Sequence, residues 1–137
     1  IMLGRINELL AEKESFAFET TLATKSYKNK IIAAKQNGYT VTLLFFWLQT
    51  VELARERVRI RVSEGGHNIE PETIERRYKK GIKNLFDIYL PVVDSAYIFD
   101  NSEGQHVLLA DTQIDGTLNI VHPEKFNLLK SYYHDNN

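Results

Sequence analysis

The sequence has no cysteine among its 137 residues, which excludes disulfides, thiolate metal centres and cysteine nucleophiles, and accords with a reducing cytoplasm. It has no excess of either charge: 17 Lys and Arg stand against 18 Asp and Glu, a formal net charge of −1. The molecule as a whole is therefore not drawn to nucleic acid or to an anionic membrane surface, and any charge argument has to be local. It lacks a long apolar run as well. The longest, from Val41 to Leu48 and broken by Thr42, is far too short to span a bilayer, and no basic segment precedes an apolar one at the start. Neither nucleic acid nor membrane is expected as a partner. Catalytic signatures are equally scarce: Ser-His-Asp order, GxSxG, HExxH, GxGxxG and GxxxxGK[ST] are all missing. His67 has no His, Asp or Glu at metal-ligand spacing, and His106, His122 and His134 are isolated, so no metal site is expected.

With 43% hydrophobic and 26% charged residues, the composition is that of one soluble domain, 1–137, with enough apolar material for a core. The chain opens on Leu3, Ile6, Leu9 and Leu10, apolar at helical spacing with no capping residue ahead, which reads as the middle of a helix and implies missing residues upstream. Helix to about Lys13 is followed by Ser15–Thr21, read as a short buried strand. Lys25–Asn37 reads as helix ending at Gly38. Tyr39–Leu48 is apolar without alternation, which suits a central parallel strand covered on both faces, with Phe45, Phe46 and Trp47 in the core. Val51–Ser63 and Pro71–Phe86 read as helices around a turn at residues 64–68. Ala96–Asp100 reads as a third strand, Val107–Ala110 and Thr117–Val121 as a hairpin, and Pro123–Tyr133 as a terminal helix. This alternation predicts an α/β fold, a mainly parallel sheet flanked by helices with a small C-terminal hairpin, in which the strands ending at Glu19 and Leu48 run parallel.

The charge is segregated along the chain. Six of the seven arginines lie between Arg55 and Arg77, and residues 52–83 carry nine Lys and Arg against six Asp and Glu. On a helix Arg57 and Arg61 share a face, as do Arg76 and Lys80, so two helices either side of Gly65-Gly66 can aim guanidinium groups at one place. Arginine suits a phosphate there because its planar fork donates in pairs and stays charged. The plainer reading is a solvated helix face with Glu52, Glu56 and Glu75 as ion-pair partners. Glu19-Thr20-Thr21, at the end of the expected strand, is a second candidate, since ligands in open parallel sheets bind beyond the carboxyl ends of the strands. A turn or helix cap is the alternative for that tripeptide.

Together these stretches resemble the zeta-toxin-like family of P-loop kinases, in the branch described as predicted ATPases. The resemblance rests on Ser15-Phe-Ala-Phe-Glu-Thr-Thr-Leu22, on Gly38-Tyr39 leading into Leu43-Leu-Phe-Phe-Trp-Leu48, and on Glu52-Leu-Ala54. It continues through Arg57-Val58, Arg61-Val62, Gly65-Gly66-His67, Pro71, Ile74, Arg76-Arg77-Tyr78, Asn84-Leu85, Tyr89-Leu90-Pro91 and Asp100-Asn101-Ser102.

It implies a partial P-loop NTPase fold, the C-terminal two-thirds of a kinase domain with a helical lid at about 51–86. The implied activity is cytoplasmic, ATP-dependent phosphoryl transfer to a hydroxyl of a small molecule, a UDP-linked amino sugar being the acceptor of zeta toxins. An antitoxin protein is the implied partner. Carried over residue by residue, Glu19 and Thr21 would hold the acceptor, Arg61, Arg76 and Arg77 would act on the transferred phosphoryl group, and Arg57 and His67 would lie on ATP. The family's Walker A loop and catalytic aspartate would both lie upstream of Ile1. ATP and magnesium thus belong to the complete family domain, and this chain alone is expected to bind neither tightly and to be inactive. The strand carrying the Walker loop would lie between the strands ending at Glu19 and Leu48, a gap the chain must close or leave as unpaired edges. The competing expectation is a non-catalytic interaction module derived from the same fold.

Overall fold

The computed structural model describes residues 2–135. Helix α1, Met2–Glu12, buries Ile6 and stops at Lys13, whose φ of +58° is left-handed. Backbone bonds from Lys13 to Leu10 and from Glu14 to Leu9 close its last turn. Helix α2, Tyr27–Gln36, ends before Gly38 at φ +88°, the left-handed terminator that its sequence announces. Strand β1 is Thr42–Trp47. Thr50 then caps helix α3, Val51–Ser63, its hydroxyl accepting from the Leu53 N–H at 3.1 Å. Helix α4, Pro71–Asn84, begins with proline in its first turn and runs on into one π-helical turn, Leu85–Tyr89, closed by Leu90 N–H to Leu85 O at 2.9 Å. That turn carries the helix beyond its expected end at Phe86 and buries both Leu85 and Tyr89. Strands β2, Ser95–Asp100, β3, Val107–Thr112, and β4, Leu118–Ile120, precede helix α5, Pro123–Asp135.

The strands form one four-stranded sheet in the order β1-β2-β3-β4. The α/β architecture follows the sequence reading, and β3 with β4 makes the expected hairpin. The sheet is mixed rather than mainly parallel: β1 and β2 pair parallel from Thr42↔Ser95 to Trp47↔Asp100, while β2–β3 and β3–β4 are antiparallel.

The strand expected over Ser15–Thr21 does not form, and so it does not run parallel to β1. The physical reason lies in local competition. The hydroxyls of Thr20 and Thr21 accept from the N–H groups of Leu22 and Ala23, two residues on, which offers the backbone a turn in place of a ladder. Leu22 then takes a φ of +60°. The aromatic side chains of the segment are satisfied outside a sheet, Phe16 edge-on to Tyr39 at 6.1 Å and Phe18 against Tyr27 at 5.1 Å.

β1 also departs from the expectation of burial on both faces. Leu43, Phe45 and Trp47 face the core, whereas Thr42, Leu44 and Phe46 are exposed, so Phe46 is a surface residue. The core lies on the other face, where Trp47, Ile98, Leu109 and Ala110 of the sheet meet Ile82 of α4 and Phe126 and Leu129 of α5. Burying side chains of this size contributes about 1.5–3 kcal/mol each. Among the described residues no helix is long and apolar enough to cross a membrane.

Candidate functional site

Parallel strands deliver their carboxyl ends to the same edge of the sheet, and here those ends are Trp47 and Asp100. Asp100 is 2% exposed. Its carboxylate accepts from four donors: the Ser102 N–H at 3.0 Å, the Ser102 hydroxyl at 2.5 Å, Gln49 Nε2 at 2.7 Å and Lys125 Nζ at 3.1 Å. Burial works to raise the carboxyl's pKa, but the hydrogen bonds from Ser102 and Gln49, with the Lys125 ammonium, outweigh it and hold the group below the ordinary aspartate range. Ser102 Oγ also accepts from the Gln49 N–H at 2.9 Å. One buried carboxylate thus ties together the β1–α3 loop, the β2–β3 loop and α5. Nearby, burial pushes the Tyr78 phenol well above its usual pKa. Its hydroxyl donates to Leu48 O at 2.6 Å and accepts from Trp47 Nε1 at 3.2 Å, fixing α4 to the end of β1.

Above this anchor a cleft of about 520 Å³ opens between α3 and the β2–β3 loop. From α3 it is lined by Leu53, Arg57, Ile60 and Arg61, with Glu56 and Glu64 on the same side. From the loop it is lined by Asn101, Ser102, Gly104 and His106.

Two carboxylates of α3 and α4 are taken by particular cations. Glu56 pairs with Arg59, whose hydrogen bond holds the Glu56 pKa down, and Glu75 pairs with Lys79 and Arg55 at 3.0 and 3.1 Å. Among the described residues Arg57, Arg61, Arg76 and Arg77 have neither an ion pair nor a side-chain hydrogen bond. The cleft brings Arg57 and Arg61 together. Arg76 and Arg77, exposed on α4, and His67, exposed in the turn after α3, are not among its lining residues. The glycine turn itself is tight: Gly66 N–H bonds Arg61 O at 2.7 Å, and a Cβ on Gly66 would meet that oxygen at 2.8 Å.

Glu19 and Thr21 are exposed and lie in the turn before α2 rather than at a strand end. The turn is nonetheless held firmly. Asn84, itself buried, donates to Leu22 O at 2.7 Å, and the Tyr89 hydroxyl donates to Thr24 O.

The family model for zeta toxin matches residues 4–113. The chain belongs to the zeta-toxin family. Its helix-flanked sheet accords with the P-loop kinase-like fold of that family. An uncharacterized protein of Haemophilus influenzae is 30% identical over 76 residues, 56% of this chain and 54% of its own, so the match spans about half the length of that relative. No solved structure gives a significant match.

Sequence reasoning reached Arg57, Arg61 and the Asp100-Asn101-Ser102 stretch but gave the latter no role, and it missed Gln49 and Lys125. An aspartate closing an apolar strand was the available signal for Asp100. Lys125, on a terminal amphipathic helix, carried none. Magnesium, which the family implies beside ATP, finds no fit among the described residues: no three His, Asp or Glu side chains cluster, and Asp100 already accepts four hydrogen bonds.

Proposed function

We propose that this domain supplies the acceptor turn and the arginine-bearing lid helices of an ATP-dependent phosphotransferase that acts on a hydroxyl of a small molecule, with a UDP-linked amino sugar as the candidate acceptor. One observation carries the reading: Glu56 and Glu75 are paired with Arg59, Arg55 and Lys79, whereas Arg57 and Arg61, without an ion pair among the described residues, line a cleft beyond the carboxyl ends of two parallel strands. In open α/β sheets that is where ligands bind. Two guanidinium groups one helical turn apart can grip adjacent phosphate oxygens in pairs. Charge that develops on a transferred phosphoryl group is stabilised by such fixed donors, and positioning and electrostatics supply most of the catalysis in this reaction class. Arg76, Arg77 and His67 would join the site through movement of the turn at Gly65-Gly66, and Glu19 and Thr21 would orient the acceptor.

The test is equilibrium titration of the purified chain with tripolyphosphate. Replacing Arg57 or Arg61 by alanine should weaken binding by about tenfold or more, the loss of a hydrogen bond to a charged group. If single alanines at Arg57, Arg61, Arg76 and Arg77 all change the affinity by less than a few-fold, the lid reading is wrong.

A second reading, a non-catalytic interaction module, draws on the outer face of the sheet. Leu44, Phe46 and Tyr97 are 53%, 47% and 39% exposed there, a contiguous apolar surface of the kind that marks contact sites. It gains ground if the arginine variants bind tripolyphosphate as the parent does while Leu44→Glu changes the association state seen by light scattering.

A further inference from the structure

We infer that Gln49 is a positioning residue for the cleft: its carboxamide, held by Asp100 and through it by Lys125, sets the spacing between α3 and the β2–β3 loop. The inference rests on the phosphate role proposed for Arg57 and Arg61 and adds the residues that aim them.

The two walls of the cleft come from separate parts of the chain. Arg57 and Arg61 stand on α3, and Asn101, Ser102, Gly104 and His106 stand on the loop. The parallel ladder that joins the two sides ends at Trp47↔Asp100, and a backbone bond from Asn101 N–H to Trp47 O at 2.8 Å closes it. Beyond that point Gln49 makes the only hydrogen bonds between the α3 side and the loop side among the described residues. Its N–H donates to Ser102 Oγ at 2.9 Å and its Nε2 to Asp100 Oδ2 at 2.7 Å. Gln49, Asp100 and Lys125 do not line the cleft themselves, so whatever they do for a ligand is done through residues that line it.

Gln49 immediately precedes Thr50, the cap of α3. From that cap Arg57 and Arg61 lie seven and eleven residues along the helix, about 10 and 16 Å at the helical rise, so a tilt of about 5° at the root would carry the Arg61 end about 1.4 Å. Guanidinium bonds to phosphate oxygens are short, about 2.7–2.9 Å, and a displacement of that size breaks one. The ion pair that steadies α3 from the side, Arg55 with Glu75 at 3.1 Å, ties it to α4 and not to the loop. The width of the cleft is therefore fixed at its root. The anchor there is rigid: Asp100 is 2% exposed, and a buried carboxylate stays ionised and in place only with a charged partner and a full set of donors. Lys125 supplies the charge from α5, beside Phe126 of the core. Pre-organisation of this kind lowers the cost of ordering the site when a ligand binds.

The experiment titrates tripolyphosphate into the purified chain and into Gln49→Met, Lys125→Met and Lys125→Arg, at a temperature where each remains folded by circular dichroism. Gln49→Met keeps the length of the side chain, removes the donor, and should weaken binding by about tenfold or more. Lys125→Met should act in the same direction, and Lys125→Arg should restore the parent's affinity. Combined with Arg61→Ala, Gln49→Met should add less than it does alone, because it acts through that arginine. The chain has no cysteine, so Ser63→Cys with Glu103→Cys, both exposed and outside the cleft lining, takes a pair of spin labels across the two walls. Their distance distribution should be narrow in the parent and broader in Gln49→Met. Gln49→Asn, which keeps the carboxamide one methylene short of Asp100, carries the same expectations should the methionine variant fail to fold. An affinity that changes by less than a few-fold, a loss fully additive with Arg61→Ala, or an unchanged distance distribution overturns the positioning role while leaving the arginine site standing. If Arg57→Ala and Arg61→Ala do not alter tripolyphosphate binding, the phosphate reading falls and this inference falls with it.

Discussion

A Cβ placed on Gly81 would lie 2.7 Å from the carbonyl oxygen of Thr21, so α4 and the turn bearing Glu19 and Thr21 are in backbone-to-backbone contact. In an open helix, replacing glycine by alanine stabilises by about 0.5–1 kcal/mol. Here the added methyl meets an oxygen that belongs to the main chain and cannot swing aside. Gly81→Ala should therefore destabilise, by about 1–3 kcal/mol as overpacking does. Urea unfolding measures it, and a midpoint above the parent's would show that the contact is slack.

The same turn depends on Asn84, 4% exposed, whose carboxamide donates to Leu22 O. Leu22 is buried in the core cluster at φ +60°, a conformation that leucine holds only when its surroundings over-determine it. Asn84→Ala leaves that carbonyl without its donor and should cost about 1–3 kcal/mol. Hydrogen exchange should report faster opening at residues 20–24 than in β2 and β3. Uniform acceleration across the chain would mean that Asn84 supports global stability only, with no special hold on the turn.

Lys13 gives a prediction of opposite sign. It is exposed and sits at φ +58° after α1, where a side chain costs about 1–2 kcal/mol relative to the right-handed helix and glycine costs little. Lys13→Gly should stabilise by up to about 1 kcal/mol, after allowing for the greater freedom of glycine in the unfolded chain. A lowered thermal midpoint would argue that the lysine stem packs on α1 more than its backbone is strained.

The contrast between these sites shows which parts of the fold the sequence makes visible. Helix limits were legible wherever local chemistry writes them: Thr50 at the cap of α3, Pro71 at the start of α4, Gly38 after α2. The Ser15–Thr21 segment misled because its short apolar run reads as a buried strand, whereas the outcome was decided by the Thr20 and Thr21 hydroxyls and by contacts of Thr21 and Leu22 with Gly81 and Asn84, sixty or more residues away. Phe46 misled for a related reason: an apolar run does not say which face will find a cover. At the site, Arg57 and Arg61 were legible from helical spacing. Their lack of carboxylate partners was not, since Glu56 could have reached either neighbour. Lys125 reaches Asp100 only through the packing of α5, a long-range fact that no local pattern encodes.

Activity gives the next prediction. The 137 residues contain no GxxxxGK[ST] sequence, whose backbone amides, lysine and hydroxyl cradle phosphates and hold magnesium. The purified chain should therefore show no ATP-dependent phosphoryl transfer to UDP-linked amino sugars, whatever its affinity for nucleotides. Labelled phosphate from ATP appearing on any such acceptor above a blank would require a phosphate-holding device elsewhere in these residues.

The Lys125–Asp100 pair sets the dependence of stability on acid. The Asp100 carboxyl is held below its ordinary pKa of about 3.9, so on protonation the folded state loses more than the unfolded state does. A depressed carboxyl contributes stability that is present in full above the unfolded pKa and is lost as pH falls through the folded pKa. The parent should thus keep its full advantage over Asp100→Asn at pH 6–7 and lose it progressively below about pH 4. Lys125→Met removes one charged donor from a carboxylate that is 2% exposed and should cost about 1.5–3 kcal/mol near neutrality, the range for hydrogen bonds to charged groups. Part of that loss is expected at the β2–β3 loop, because Asp100 also holds Ser102 and Gln49 there. Denaturant unfolding of the three proteins from pH 7 down to the acid limit decides the matter. An offset between parent and Asp100→Asn that stays constant across that range would show that the carboxyl is not depressed and that Lys125 serves as packing alone.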